Sequence, residues 1–428
     1  MVNRMPEDRM NPSSAPISRS GDEVDLAKTY PSMPGDEMNP VLAPPRKTGR
    51  ILVLFGEGAT EAGAKVLSDR AGIHLSMSNE SADSSEHKVY HSLGLAVISA
   101  DPDRVRAISS ASSEQNSPII SMEDEQVAQV DPIVGVEQTE GEATWGLIDT
   151  KVIDSPYSGK GIKVAILDTG FDLEHPDFAN RNIIGKSFVV DGQTVQDGHG
   201  HGTHTTGTAC GPRNPYNSKG YGVAYEADIY IGKVLNNDGS GSDSSIIEGI
   251  NWAIDEGCQI ISMSIGGLVS VGSSYSFTYE IVASRALVKG TLIIVAAGND
   301  SKRNYQPSII NPVSRPANCP GMMGVGAIDR NFAIASFSNG YMNTQYKGGE
   351  VDLVGPGVDI YSSWPLSRKY NTISGTSMAT PHVAGIAALY AEANPSARGR
   401  TLWNLLINNA QTLNLTARDA GAGLVQAP

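Results

Sequence analysis

Three segments combine residue types that can do chemistry. In the first, the apolar run Val164-Ala165-Ile166-Leu167 leads straight into Asp168-Thr169-Gly170. That places a carboxylate at the end of a strand, although an aspartate before glycine is also an ordinary turn residue. The second, residues 197–207, holds His199, His201 and His204 among four glycines, in a chain with eight histidines. A zinc site, a general base at a helix start and a glycine-rich loop with structural histidines all suit this segment. The third, Ser374-Gly375-Thr376-Ser377-Met378-Ala379-Thr380-Pro381-His382, sets Ser377 where a small-residue helix begins. Backbone N–H groups there favour developing negative charge, and serine is also a common helix cap. Taken together the segments are more specific than apart. An activated serine needs an imidazole, and the imidazole needs a carboxylate to fix its tautomer. Asp168, His201 and Ser377 supply one of each.

The elements that must position these groups are legible as alternating patterns. Strand candidates are residues 164–167, 229–234, 260–265, 292–297 and 323–327, and residues 244–254 and 279–288 have helical spacing. This alternation predicts an α/β fold, a parallel sheet with helices on both faces, with functional loops at the carboxyl ends of the strands. Ahead of it, residues 50–130 read as strand, helix, strand, helix, strand, which suits a small α+β domain of the ferredoxin-like type. Residues 1–49 hold eight prolines and no sustained periodicity, so they read as a disordered tail. Residues 131–144 are poor in apolar order and carry Glu137, Glu140 and Glu142, so they read as a linker to a domain spanning 145–428.

Composition narrows the options. The 428 residues carry a net charge of −14, which disfavours non-specific binding to nucleic acid or anionic lipid. No apolar run is long enough to span a membrane. No secretory signal is visible, which leaves cytoplasmic action or export by a signal-independent route open. Cys210, Cys258 and Cys319 are too few for a disulfide framework and read as small buried residues.

The motifs resemble those of the subtilisin-like serine proteases, the subtilase family. The matching residues are D-T-G at 168–170, H-G-T-H at 201–204, S-M-S-I-G-G at 262–267, A-A-G-N at 296–299, G-T-S-M-A-T-P-H at 375–382 and G-x-G-L-V-x-A at 421–427. The resemblance covers roughly residues 145–427 and implies a serine endopeptidase working through an acyl-enzyme. Ser377 would be the nucleophile, His201 the base and acid, Asp168 its partner and Asn299 a donor to the oxyanion. Protein or peptide substrates would lie extended between Ser264-Ile265-Gly266 and the segment containing Gly239 and Gly241. Catalysis would need no cofactor. Asp177, in His175-Pro176-Asp177, is a candidate ligand for a structural calcium ion.

Further implications concern the pocket rims and the first domain. Asp243 stands where some relatives have an aromatic residue over the pocket for the fourth residue before the cut. Arg315 and Asp300 would flank the primary pocket, one base and one acid. Residues 50–130 would be a propeptide, an intramolecular inhibitor of the cleft, and the chain would be a self-processing zymogen cut within 130–142. A rival reading is a non-catalytic scaffold that keeps the fold and binds peptides.

Overall fold

The computed structural model describes residues 45–75, 87–91, 93–130, 134–135, 142–189, 192–215, 218–341 and 348–428. Most of the expected tail and most of the linker lie outside the described residues. The tail boundary needs one correction. The first strand starts at Lys47, because Lys47 pairs with Gln126 and its ammonium meets Asp124 at 2.6 Å.

The first domain is built from β1 (Lys47–Phe55), α1 (Thr60–Ala71), β2 (His87–Tyr90), β3 (Leu95–Ile98), α2 (Pro102–Ser112) and β4 (Ile119–Gln129). The sheet order β2-β3-β1-β4, with antiparallel β1–β3, β1–β4 and β2–β3 pairs, is that of a ferredoxin-like domain. The additional strand β2 was not foreseen, because His87-Lys88-Val89-Tyr90 has little apolar pattern of its own. The run Ile51–Phe55 is apolar at every position because both faces of β1 are covered. Ile51, Val53 and Phe55 pack with Leu67 and Ile108 beneath the two helices. Leu52 and Leu54, with Leu95 and Val97, belong to the core that continues into the second domain.

The rest of the chain runs through β5 (Val134–Gly135), α3 (Trp145–Asp149), β6 (Lys163–Asp168), β7 (Ile183–Ser187), α4 (His201–Cys210), β8 (Asp228–Lys233), β9 (Ser240–Ser242) and α5 (Asp243–Asp255). It continues through β10 (Ile260–Met263), α6 (Phe277–Val288), β11 (Leu292–Ala296), β12 (Met323–Ile328), β13 (Leu353–Pro356), β14 (Ile360–Ser363), β15 (Tyr370–Ser374), α7 (Thr376–Ala393) and α8 (Arg400–Asn408). Seven strands form one sheet of order β13-β12-β11-β10-β6-β8-β7, every pair parallel. Helices α4 and α7 pack together, with α7 along β10 to β13, while α5 and α6 form a second pair on the sheet. The chain leaves β6 toward β8 on one side and later returns to β10 on the other. Such a reversal opens a crevice at the carboxyl ends of the strands.

Candidate active site

Asp168 is the last residue of β6 and His201 the first of α4. His201 Nδ1 lies 2.8 and 2.9 Å from the two Asp168 oxygens, and both side chains are buried. The carboxylate also accepts the Thr169 backbone N–H at 2.7 Å and the Thr205 hydroxyl at 3.1 Å. With Nδ1 committed to Asp168, proton transfer falls to Nε2.

The helix that carries His201 is held at its start by Asp197. That carboxylate accepts from the backbone of His199, Gly200 and Thr203 at 2.8–2.9 Å, and from the hydroxyls of Thr169 and Thr203. One acid thereby satisfies N–H groups that a helix start leaves without intrahelical acceptors. Lys233, fully buried, donates to the Thr169 carbonyl and to Asn237 Oδ1. Burial lowers its pKa.

The three clustered histidines do not converge. His204 turns away to the Ile360 carbonyl at 3.0 Å, and burial pushes its pKa down to about 3. His199 is also lowered, mainly by burial and then by the nearby His201. No group of three or more His, Cys, Asp or Glu residues able to hold a metal occurs among the described residues.

Ser377 lies in the first turn of α7, and its Oγ donates to the Ser264 carbonyl at 3.4 Å. Pro381, four residues on, has no N–H, so the helix cannot satisfy the Ser377 carbonyl in the usual way. The Ser264 hydroxyl takes that role, donating to the Ser377 carbonyl at 2.7 Å. Asn299 follows β11. Its Oδ1 accepts from Thr376 N at 2.8 Å and from the Thr376 hydroxyl at 2.9 Å. This fixes the amide plane and puts Nδ2 beside the Gly375–Ser377 turn, 3.2 Å from where a Cβ on Gly375 would stand. The site can therefore offer a serine, an imidazole with an oriented tautomer, and amide donors for an oxyanion.

The expected substrate segments hold the chain's own β4. Its end pairs antiparallel with β9, Val127 with Ser242, Ala128 with Gly241 and Gln129 with Ser240. On the other side Gln129 N donates to Gly266 O at 3.1 Å and Gly266 N to Gln129 O at 3.2 Å. Val130 N donates to Gly239 O at 2.9 Å. Glycine is required at 239, where φ is +74° and a Cβ would stand 2.5 Å from Val130 Cγ2. Ile265, between the two segment residues Ser264 and Gly266, is buried in the core.

Two acids of β4 cap helices of the second domain. Glu125, fully buried, accepts from Ser244 N at the start of α5 at 2.9 Å and from the Arg50 fork at 2.7 and 3.0 Å. Glu123 accepts from Thr278 N at 2.9 Å and the Ser276 hydroxyl at 2.5 Å at the start of α6. The supporting roles of Asp197, Thr169, Lys233, Thr376 and the two glutamates are not legible in the sequence. Pro381, four residues after Ser377, is a sequence signal only for the Ser264–Ser377 bond.

One expectation at the rim changes. Arg315 and Asp300 do not share one pocket as free charges. Arg315 Nη1 binds both oxygens of Asp243 at 2.9 Å, and Asp300 accepts from Asn339 Nδ2 at 3.0 Å. Burial raises the Asp300 pKa. At Asp177, the candidate calcium ligand, the oxygens accept the hydroxyls of Tyr221 at 2.6 Å and Tyr370 at 3.1–3.2 Å.

Comparison with known proteins agrees with this geometry. Residues 159–424 match the subtilase family. The chain is 42% identical over 270 residues to Subtilisin Savinase of Lederbergia lenta, covering 63% of this chain and 90% of that protein. It is 38% identical to an alkaline protease of Alkalihalobacillus alcalophilus, covering 72% of this chain and 77% of that protein. It is 35% identical to the thermostable alkaline protease of Halalkalibacterium halodurans, covering 82% and 94%. No helix among the described residues is long and apolar enough to cross a membrane. With its parallel sheet, its buried aspartate–histidine pair and its serine at a helix start, the chain belongs to the subtilase family and is a subtilisin-like serine endopeptidase.

Proposed function

We propose that Asp168, His201, Ser377 and Asn299 carry out peptide hydrolysis in this chain, and that residues 47–130 hold the enzyme as a zymogen. Ser377 Oγ attacks the substrate carbonyl carbon while its proton passes to His201 Nε2. Asp168 holds the imidazole through Nδ1 and balances the charge of the imidazolium. The carbonyl oxygen, now an oxyanion, takes donors from the Asn299 amide and the backbone at Ser377. The C–N bond then breaks, the proton moves from His201 to the leaving amine, and the acyl-enzyme is hydrolysed by water along the same route.

The observation that carries the reading is the strand 127–130, seated between Gly239–Ser242 and Gly266, two residues from Ser264, whose carbonyl lies 3.4 Å from Ser377 Oγ. It occupies the groove as an extended substrate would, which supports both a peptide substrate and inhibition in cis. Backbone pairing of this kind gives affinity with little demand on side chains. Further along, Val134 and Gly135 pair with Ser374 and Ile373, just before the serine turn. The expected self-cut lies within 130–142. In that window Val130, Val134, Gly135 and Glu142 are described, while Glu137 and Glu140 lie outside the described residues.

The test is mass spectrometry and a fluorophosphonate label on wild type and Ser377→Ala. Wild type converts to a fragment beginning within 130–142 and takes the label. Ser377→Ala stays one chain, takes none, and loses at least about 10³-fold in peptide hydrolysis. Hydrolysis unchanged in Ser377→Ala refutes the mechanism. A fully active, uncut wild type refutes the zymogen.

A further inference from the structure

Gln126 sits one step past the β4–β9 ladder. The ladder ends where the chain turns from Ser242 into α5, so the next N–H of β4 has no strand carbonyl to meet. The Asp243 carboxylate meets it instead, accepting from Gln126 N at 2.7 Å. This acceptor is built entirely within the second domain. Arg315 Nη1 donates to both Asp243 oxygens at 2.9 Å, and the Tyr279 hydroxyl donates to Oδ1 at 3.0 Å. The Arg315 guanidinium also lies over the Tyr279 ring, 4.9 Å from its centre. Its backbone is pinned to Gly267 by two bonds of 2.8 and 3.0 Å. The Asp243 and Arg315 side chains are 3% and 11% exposed. Burial acts to lower the Arg315 pKa, but Asp243 raises it further, so the guanidinium stays charged and holds the carboxylate in place.

The register converts this contact into a substrate position. Gln129 faces Gly266, and Ser264, two residues before Gly266, has its carbonyl 3.4 Å from Ser377 Oγ. In an antiparallel pair, the substrate residue opposite Ser264 lies two residues after the one opposite Gly266. It supplies the attacked carbonyl. The residue in the place of Gln129 is then third before the cut, and that in the place of Gln126 is sixth.

We propose that Asp243 is a substrate-binding residue that accepts the backbone N–H of the sixth residue before the cut. This rests on the reading that β4 binds as a substrate does. The enzyme then favours extended peptides with at least six residues ahead of the bond, and rejects proline or any N-alkylated residue at the sixth. The fifth position supplies a control. The N–H of Val127, at the fifth, donates to Arg46 O at 2.8 Å, a carbonyl of the first domain that a free peptide does not meet.

The probes are acetylated peptides with six residues ahead of the cut, either unmodified or N-methylated at the fifth or the sixth residue. Protein purified from the full chain is assayed at steady state. Methylation at the sixth raises KM about 10- to 100-fold, the scale of one hydrogen bond to a charged acceptor, with kcat unchanged. Methylation at the fifth changes little. Asp243→Asn strands a buried guanidinium, so the variant used is Asp243→Leu with Arg315→Met, which removes both charges. In it the two methylated peptides behave alike. Equal sensitivity at both positions in wild type, or a selective loss at the sixth that survives in the double variant, overturns the proposal. Failure to cut the unmodified peptide counts against the subsite and the proteolytic reading together, whereas cutting without position dependence counts against the subsite alone.

Discussion

If the first domain competes with substrate for the cleft, weakening its grip must make the cleft easier to enter. Glu123 is the cleanest place to test this. Its carboxylate accepts from Thr278 N and the Ser276 hydroxyl, with Arg315 Nη2 at 3.9 Å, and all three belong to the second domain. Removing it therefore spares the fold of the first domain. Glu125 is less suitable, because Arg50 and Thr48 of its own domain also depend on it. Hydrogen bonds to a charged group contribute about 1.5–3 kcal/mol. The Glu123 side chain is 22% exposed, so solvent screens part of its interaction with the start of α6. Glu123→Ala should therefore weaken docking by about 2–3 kcal/mol, a factor of roughly 30 to 150. Glu123→Gln, which keeps an acceptor and loses the charge, should fall between.

The assay uses Ser377→Ala throughout, so that no chain is cut. A fluorescent peptide with the sequence of residues 126–130 is titrated and followed by anisotropy. Its apparent affinity equals the intrinsic one scaled by the fraction of open chains. Glu123→Ala should tighten apparent binding by roughly 30- to 150-fold, up to the limit at which every chain is open. Higher salt should narrow the gap between variants. Affinity equal to that of the parent, with both domains folded by circular dichroism, would refute the claim that this cap holds the first domain in place.

Asn299→Ala should lower kcat by about 10²–10³, a magnitude established on subtilisin, with little change in KM; steady-state kinetics with equal kcat and weaker binding would make Asn299 a substrate-positioning residue only. His382 is buried, its pKa pushed down to about 4 by burial. The unfolded chain therefore takes up its proton first, and stability is lost as pH falls from about 6.5 toward 4. His382→Gln should reduce the slope of unfolding free energy against pH in this window by up to ~1.4 kcal/mol per pH unit, read from urea melts of Ser377→Ala. Ser264→Ala leaves the Ser377 carbonyl unpaired and should cost about 1–3 kcal/mol. Adding Pro381→Ala restores an N–H four residues on and should recover part of that loss; melts that show no coupling between the two substitutions would refute the link.

The catalytic domain was legible because its chemistry is local in sequence. Asp168 ends an apolar run, His201 opens H-G-T-H and Ser377 sits in a small-residue turn, so each motif announces its own position. The five interior strands were visible for the same reason. Strand β7 was not, because Ile183-Ile184-Gly185-Lys186-Ser187 sits at the sheet edge with three exposed residues and has no continuous apolar run. What supports the site was harder to read. Asp197 accepts from N–H groups two, three and six residues ahead, yet before Gly198 it reads as an ordinary turn aspartate. Arg315 was read beside Asp300, near in sequence, yet its partner is Asp243, seventy-two residues away. Only the fold brings that pair together.

The acids of β4 show how one strand links the capping of two helices to pairing with the groove segments. Glu123 and Glu125 lie two residues apart, so in a strand their side chains emerge on the same face. They reach the starts of two neighbouring helices, α6 and α5, whose N–H groups lack intrahelical partners. Five residues along from Glu125, Val130 meets Gly239, so the spacing between the caps and the groove is fixed by the rise of a single strand. A strand cannot satisfy the caps without also being delivered into the substrate groove in one register. A one-residue slip would turn both carboxylates to the opposite face and break the Gln129–Gly266 pair at once. The register of β4 in the groove is therefore a geometric consequence of capping the helices, and a free peptide, lacking the caps, must gain its register from its backbone contacts, the proposed one to Asp243 included.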